Sequence, residues 1–166
     1  MYRFIFCFRI FIYFFITILN LPKILNSNKI LFLDLDYTLC DNKKLRRAPA
    51  DESKLVYELD IPINLEIKDL VNDYSDFKKI ILTARGLRSM NPTKKWLKRN
   101  DYGEFQIMFI GETWLKLIPI LFGNILRKKL ILVDDLTTDG FDSHPLKALI
   151  NKRKFDKLTY IDSSKL

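Results

Sequence analysis

Histidine and cysteine are almost missing from this chain, and acidic residues are missing from its first 29 positions. A lone His144 cannot build an imidazole metal cluster, and Cys7 and Cys40, far apart and without a CxxC pair, offer neither a thiolate site nor a disulfide framework. Any metal must therefore be held by oxygen. Residues 1–29 carry Arg3, Arg9, Lys23 and Lys29 and no Asp or Glu, so half of the formal +8 charge lies there. The net charge alone is thus no mark of a nucleic-acid or membrane binder. No internal repeat and no low-complexity linker follows Asn28. What the chain has in quantity is apolar material: 48% hydrophobic residues, 13 of them Phe, over 166 positions are enough for one buried core and one domain.

The N-terminal stretch divides the chain into a leader, residues 1–28, and a folded unit, residues 29–166. The leader is apolar almost all round, is broken by Arg3 and Arg9, and stops at Pro22. Its run from Phe4 to Leu21 approaches the ~20 residues that a bilayer needs, provided that Arg9 snorkels or its burial cost of about 2.5–3.5 kcal/mol is met. A membrane anchor, a signal peptide, a non-spanning amphipathic leader and a misplaced start all remain open. The signal peptide fits less well, because no small-residue cleavage site follows. If the segment spans, Lys23, Lys29, Lys43, Lys44, Arg46 and Arg47 outnumber Arg3 and Arg9 and keep the folded unit in the cytoplasm.

From Lys29 onward, short apolar runs rich in β-branched residues alternate with amphipathic segments. That alternation predicts an α/β fold, a doubly wound, five-stranded parallel sheet with helices on both faces. Strands are expected at about Ile30–Asp34, Lys79–Thr83, Gln106–Ile110, Leu130–Asp134 and Leu158–Ile161. Helices are expected near Glu52–Glu58, Leu65–Tyr74, Pro92–Asn100, Thr113–Leu126 and Pro145–Lys152, with Asn91 capping the third and Ser143 the last. In such sheets ligands bind outside the carboxyl ends of the strands. The residues at those ends are Asp34, Asp36 and Thr38; Thr83, Ala84, Arg85 and Gly86; Gly111, followed by Lys116; and Asp134 with Asp135.

Carboxylates brought into one pocket repel one another unless a cation compensates them. With oxygen the sole available donor type, that cation is expected to be Mg²⁺, which takes one or two carboxylates plus a phosphate oxygen and so implies a phosphorylated substrate. One carboxylate can then attack phosphorus, and a second can protonate the leaving oxygen and later deprotonate water.

These residues resemble the haloacid dehalogenase superfamily. "DLDYTL" looks like its DxDxT signature, "IILTARG" like its second motif, and "LILVDDLTTD" like its fourth. Lys116, 18 positions before Asp134, stands at a spacing familiar from polynucleotide kinase 3′-phosphatase domains. The resemblance spans about Lys29 to Asp162. It implies a nucleophile at Asp34, a general acid/base at Asp36 that also gives a backbone carbonyl to the metal, and phosphoryl binding by Thr83, Ala84 and Arg85. It further implies neutralisation by Lys116 and metal ligation by Asp34, Asp36, Asp135 and Asp134, with Asp139 assisting. The second acid, Asp36, favours phosphoryl over haloacid chemistry. Tyr37 departs from the pattern, since many members have Gly there.

The gaps from Asp34 to Thr83 and from Thr83 to Lys116, 49 and 33 residues, already hold connecting helices and leave no room for a large cap. Capless members tend to take bulky substrates, because the partner must itself exclude water. Lys43–Arg47, Arg85 and Arg88 follow strand ends and would border the site; Arg127–Lys129 and Lys152–Lys154 precede strands and read as a solvated face. The expected activity is that of a Mg²⁺-dependent phosphomonoester hydrolase acting on a sugar, nucleotide or larger anionic scaffold. The alternatives are a polynucleotide 3′-phosphatase and a non-catalytic interaction module. Lys94, Lys95 and Lys98 compete with Lys116 for its role. Trp96, Trp114, His144 and Cys40 read as structural.

Overall fold

A computed structural model describes residues 2–40, 63–136, 145–152 and 155–166. Five strands, β1 (Lys29–Leu33), β2 (Lys78–Thr83), β3 (Gln106–Phe109), β4 (Lys129–Asp134) and β5 (Leu158–Asp162), form one all-parallel sheet in the order β3-β2-β1-β4-β5. The doubly wound reading holds, and each strand lies within one residue of its expected bounds. β1 is central, and its Ile30, Leu31, Phe32 and Leu33 are fully buried because both faces of the sheet are covered.

The two faces carry separate cores. On one, Leu31, Leu33, Ile81 and Val133 meet Ile67 and Val71 of α3 (Leu65–Asp73) and Trp96 and Leu97 of α4 (Met90–Arg99). On the other, Phe32, Leu82, Met108 and Leu132 meet Ile120 of α5 (Leu117–Ile125), Leu146 of α6 (Pro145–Asn151) and Ile24 of α2 (Pro22–Leu25). The winding reverses between β1 and β4. No large cap domain stands among the described residues.

Two prolines account for the helix starts that differ from expectation. Pro92 lies in the third position of α4, which begins at Met90 behind a 3₁₀ turn, Leu87–Ser89. A first-turn proline gives up only an N–H that has no intrahelical partner, so Asn91 is not the cap. Pro119 has the same place in α5. A helix running on from Thr113 would direct the missing Pro119 N–H at the Leu115 carbonyl and press the ring against it. The chain instead takes a 3₁₀ turn over Thr113–Lys116 and starts the α-helix at Leu117. That turn buries Leu115 and Lys116 and leaves Trp114 41% exposed, contrary to its expected core position.

The leader forms α1 (Tyr2–Asn20), which lies beside the edge strand β3 and packs on α5. Lys23 Nζ donates to the Ile107 carbonyl at 2.7 Å. Lys128, expected on a solvated face, is buried with its ammonium on the Leu25 and Ser27 carbonyls, while Arg127 and Lys129 are exposed. The expected helix at Glu52–Glu58, the run Lys43–Arg47, Asp139, Ser143, His144, and Arg153 with Lys154 lie outside the described residues.

Candidate active site

The register of β1 on β4 pairs Leu33 with Val133, so the next residues, Asp34 and Asp134, stand level at adjacent strand ends. The Asp34 N–H donates to the Val133 carbonyl at 2.9 Å and extends the ladder by one rung. This is the point where the winding reverses and leaves a crevice between diverging connections. Carboxylate oxygens of Asp34, Asp134 and Asp135 lie within 4.8 Å of one another, and all three residues are buried. Lys116 enters from the 3₁₀ turn beyond β3, with Nζ 2.9 Å from Asp34 Oδ1 and 2.6 Å from Asp134 Oδ2.

Asp134 is fixed on both oxygens. Oδ2 takes the Lys116 ammonium, and Oδ1 accepts from the Leu136 N–H at 2.8 Å. Tyr160 on β5 donates its hydroxyl to the Asp134 carbonyl at 3.0 Å. Burial pushes the Asp34 carboxyl up to about 8; the neighbouring Asp134 and Asp36 add to the rise, and Lys116 opposes it. For Lys116, burial works to lower the pKa, but the Asp134 and Asp34 carboxylates outweigh it and raise it, so the ammonium keeps its charge.

A second set stands beside the first. Arg85 grips Asp36 with Nε on Oδ2 at 2.8 Å and Nη2 on Oδ1 at 2.6 Å, and gives Nη1 to the Thr93 hydroxyl at 3.0 Å. Arg85 is buried, and a bidentate fork of this kind is stronger and more directional than an exposed ion pair. Thr83, fully buried at the end of β2, accepts the Arg85 N–H on its hydroxyl at 3.2 Å, with Ala84 between them. The third residue of the DxDxT pattern, Thr38, shares a 2.8 Å hydrogen bond with Ser163 and ties the turn to the end of β5. No family model, curated protein or solved structure matches this chain.

Both acidic strand ends turn in the same strained way. Tyr37, directly after Asp36, has φ 60°, and Leu136, directly after Asp135, has φ 43°. The left-handed region costs a bulky residue roughly 1–2 kcal/mol, and such strain collects where side chains must be aimed. It also explains why Gly is an apt residue at position 37 and what Tyr37 forgoes. Cys40 is buried and its thiol is pushed up by burial, which suits the structural reading and not a nucleophile.

The four acids, Thr83, Arg85 and Lys116 therefore all lie at the carboxyl edge, in two sets that share the Asp34–Asp36 turn. Lys94 and Lys98 line a different cavity of about 1010 Å³, between α1, α4 and β3, with Lys23 and Phe109. Of the competing lysines, Lys116 is the one on the acids. Thr93, Tyr160 and Ser163 went unread, since each acts through a partner that only the fold brings near. Three buried carboxylates supply an oxygen-only donor set, which fits a hard divalent cation of the Mg²⁺ type better than a transition metal.

Proposed function

We propose that the chain is a Mg²⁺-dependent phosphomonoester hydrolase of the haloacid dehalogenase type. The observation that carries the reading is Lys116, held between Asp34 and Asp134 where the winding reverses, with Asp135 in the same cluster. A buried ammonium with an adjacent triad of carboxylates is costly to a fold and is suited to receiving a phosphoryl group. Asp34, Asp134 and Asp135 would hold the metal with the Asp36 carbonyl, and the bound cation would draw charge from the phosphoryl oxygens.

In the chemistry proposed, Asp34 Oδ attacks phosphorus as the ester oxygen departs with a proton from Asp36, leaving an aspartyl-phosphate. Water then attacks that phosphorus as Asp36 takes its proton, which frees inorganic phosphate and restores Asp34. Lys116 would keep the nucleophile oriented and offset the transferred charge, while Thr83 and the N–H groups of Ala84 and Arg85 would bind equatorial oxygens.

The substrate class is a phosphorylated sugar, nucleotide or larger anionic molecule. A polynucleotide 3′-phosphatase is the second reading, favoured by the 18-residue spacing that sets Lys116 on Asp134. A panel of phosphomonoesters, with and without Mg²⁺, tests both. Phosphate release that needs Mg²⁺ and is lost in Asp34→Asn is expected, and preference for 3′-phosphorylated oligonucleotides with loss at high salt would select the second reading. Turnover that survives Asp34→Asn would exclude the covalent route. Silence across the panel with the fold intact would favour a binding module.

A further inference from the structure

Helix α1 is inside out for a helix in water. The residues it turns to the domain include Tyr13, Thr17 and Asn20, and Thr17 is fully buried. Their polar groups are all used: Thr17 donates to the Tyr13 carbonyl, Asn20 to the Ile16 carbonyl, and the Tyr13 hydroxyl accepts the Leu87 N–H. Every exposed residue between Phe11 and Leu19 is apolar, with Phe11 66% and Leu19 63% exposed. A helix on a soluble domain carries its apolar stripe inward. This one turns Thr17, Asn20 and the Tyr13 hydroxyl inward beside half-buried Ile10 and Ile16, and its most exposed phenyl groups outward.

The patch does not end with α1. On the neighbouring α5, Leu121 and Ile125 are exposed, Ile125 to 74%, as are Leu126 directly after the helix and Trp114 in the turn before it. Exposed Arg127 and Lys157 stand beside its end, and the leader holds no acid. Among the described residues, α1 is the one helix long and apolar enough to cross a bilayer. Crossing would strip it from the domain, breaking the Lys23 bond to Ile107, the Tyr13 bond to Leu87, and the contact of Arg9 with Glu112 at 3.2 Å.

The geometry points to an in-plane membrane dock, in which the outer face of α1 and the exposed edge of α5 together enter the headgroup and acyl boundary of an anionic bilayer. A protein partner suits this face less well, because an interface of its size ordinarily carries a hydrogen bond for every ~100–200 Å² and the outer side of α1 offers no polar side chain over Phe11–Leu19. Basic residues at the rim and a purely apolar centre match an anionic lipid surface in chemistry.

Flotation of the full chain with phosphatidylcholine vesicles, with and without phosphatidylserine, tests the dock. The wild type is expected to float with the mixed vesicles, and more weakly as salt rises. Phe11→Glu with Phe15→Glu, and separately Ile125→Glu, should each cut the bound fraction by about tenfold or more, with the circular dichroism spectrum and melting temperature unchanged. Alkaline carbonate should release the bound protein. Wild-type binding by Ile125→Glu together with resistance to carbonate would overturn the dock in favour of a spanning α1. No flotation on either vesicle would overturn it outright, as would a dimer in sedimentation that Phe11→Glu with Phe15→Glu dissociates.

Discussion

Arg85 and Asp36 face each other fork to fork across 49 positions of sequence, with contacts of 2.8 and 2.6 Å and the remaining guanidinium nitrogen on Thr93. The pair defines how the proposed acid/base is held, beside the cluster in which Lys116 meets Asp34 and Asp134.

Arg85→Lys keeps a positive charge but cannot reproduce the fork. We expect kcat to fall by about 10²-fold, the low end of what a positioned acid/base contributes, with the Mg²⁺ concentration for half-maximal activity unchanged. A Mg²⁺ titration of initial rates separates the two effects. A shifted Mg²⁺ requirement at constant kcat would assign Arg85 to the metal set instead.

Lys116 is the counter-charge of a buried pair of acids, and its removal is expected to be felt first in stability. Lys116→Met should destabilise the metal-free protein by about 3–5 kcal/mol, as when one partner of a buried ion pair is lost. Added Mg²⁺ should restore part of that loss by replacing the missing charge. Urea unfolding in chelator and in Mg²⁺ gives both numbers, and a loss below about 1 kcal/mol would mean that the ammonium is not the element neutralising this cluster.

The Asp34 carboxyl, raised to about 8, predicts the direction of the pH dependence. The unfolded chain gives up this proton near pH ~3.9, whereas the metal-free native state keeps it until about 8. Between those values the native state holds more protons, so stability should fall as pH rises through the window and level off above it. Melting temperatures in chelator should decline from pH 5 to pH 8 in the wild type and decline less in Asp34→Asn, whose amide has no proton to lose. Equal slopes in the two proteins would assign the effect elsewhere.

Helix α5 ends in a Schellman arrangement with the wrong residue in the left-handed place. Arg127, at φ 53°, donates its N–H to the Asn124 carbonyl at 2.9 Å, and Lys128 donates to the Gly123 carbonyl at 3.0 Å. Glycine pays no Cβ penalty there, so Arg127→Gly should stabilise the fold by about 1 kcal/mol. Thermal unfolding of this exposed-site variant checks it, and a lower melting temperature would show that the arginine side chain outweighs its strain.

The strands were legible because a parallel sheet covered on both faces needs continuous apolar runs, and "KILFL" or "KLILVD" has no other obvious use. The acids were legible because they interrupt those runs at the ends. Less could be read where a single residue has two uses: Pro92 and Pro119 start helices two positions earlier than a proline at the first helical position would. The Arg85 fork and the Tyr160 contact depend on which strands become neighbours, which no local pattern encodes. Nor did the leader show its inward face, since Tyr13, Thr17 and Asn20 make too weak a polar stripe to read on so apolar a helix.

Asp34 and Asp134 are one hundred positions apart, and they meet only because β1 takes β4 as its second neighbour. A chain that has paired β1, β2 and β3 already holds Asp34, Asp36, Thr83 and, just beyond β3, Lys116. At that stage their edge is open to water and the crevice has one wall. Long-range pairing of this kind is the slow part of building a sheet, since the connecting loop must close before any contact rewards it. The cluster of Asp34, Asp134 and Asp135 is therefore assembled by the same event that closes the centre of the fold, and the proposed activity is expected to require the whole sheet.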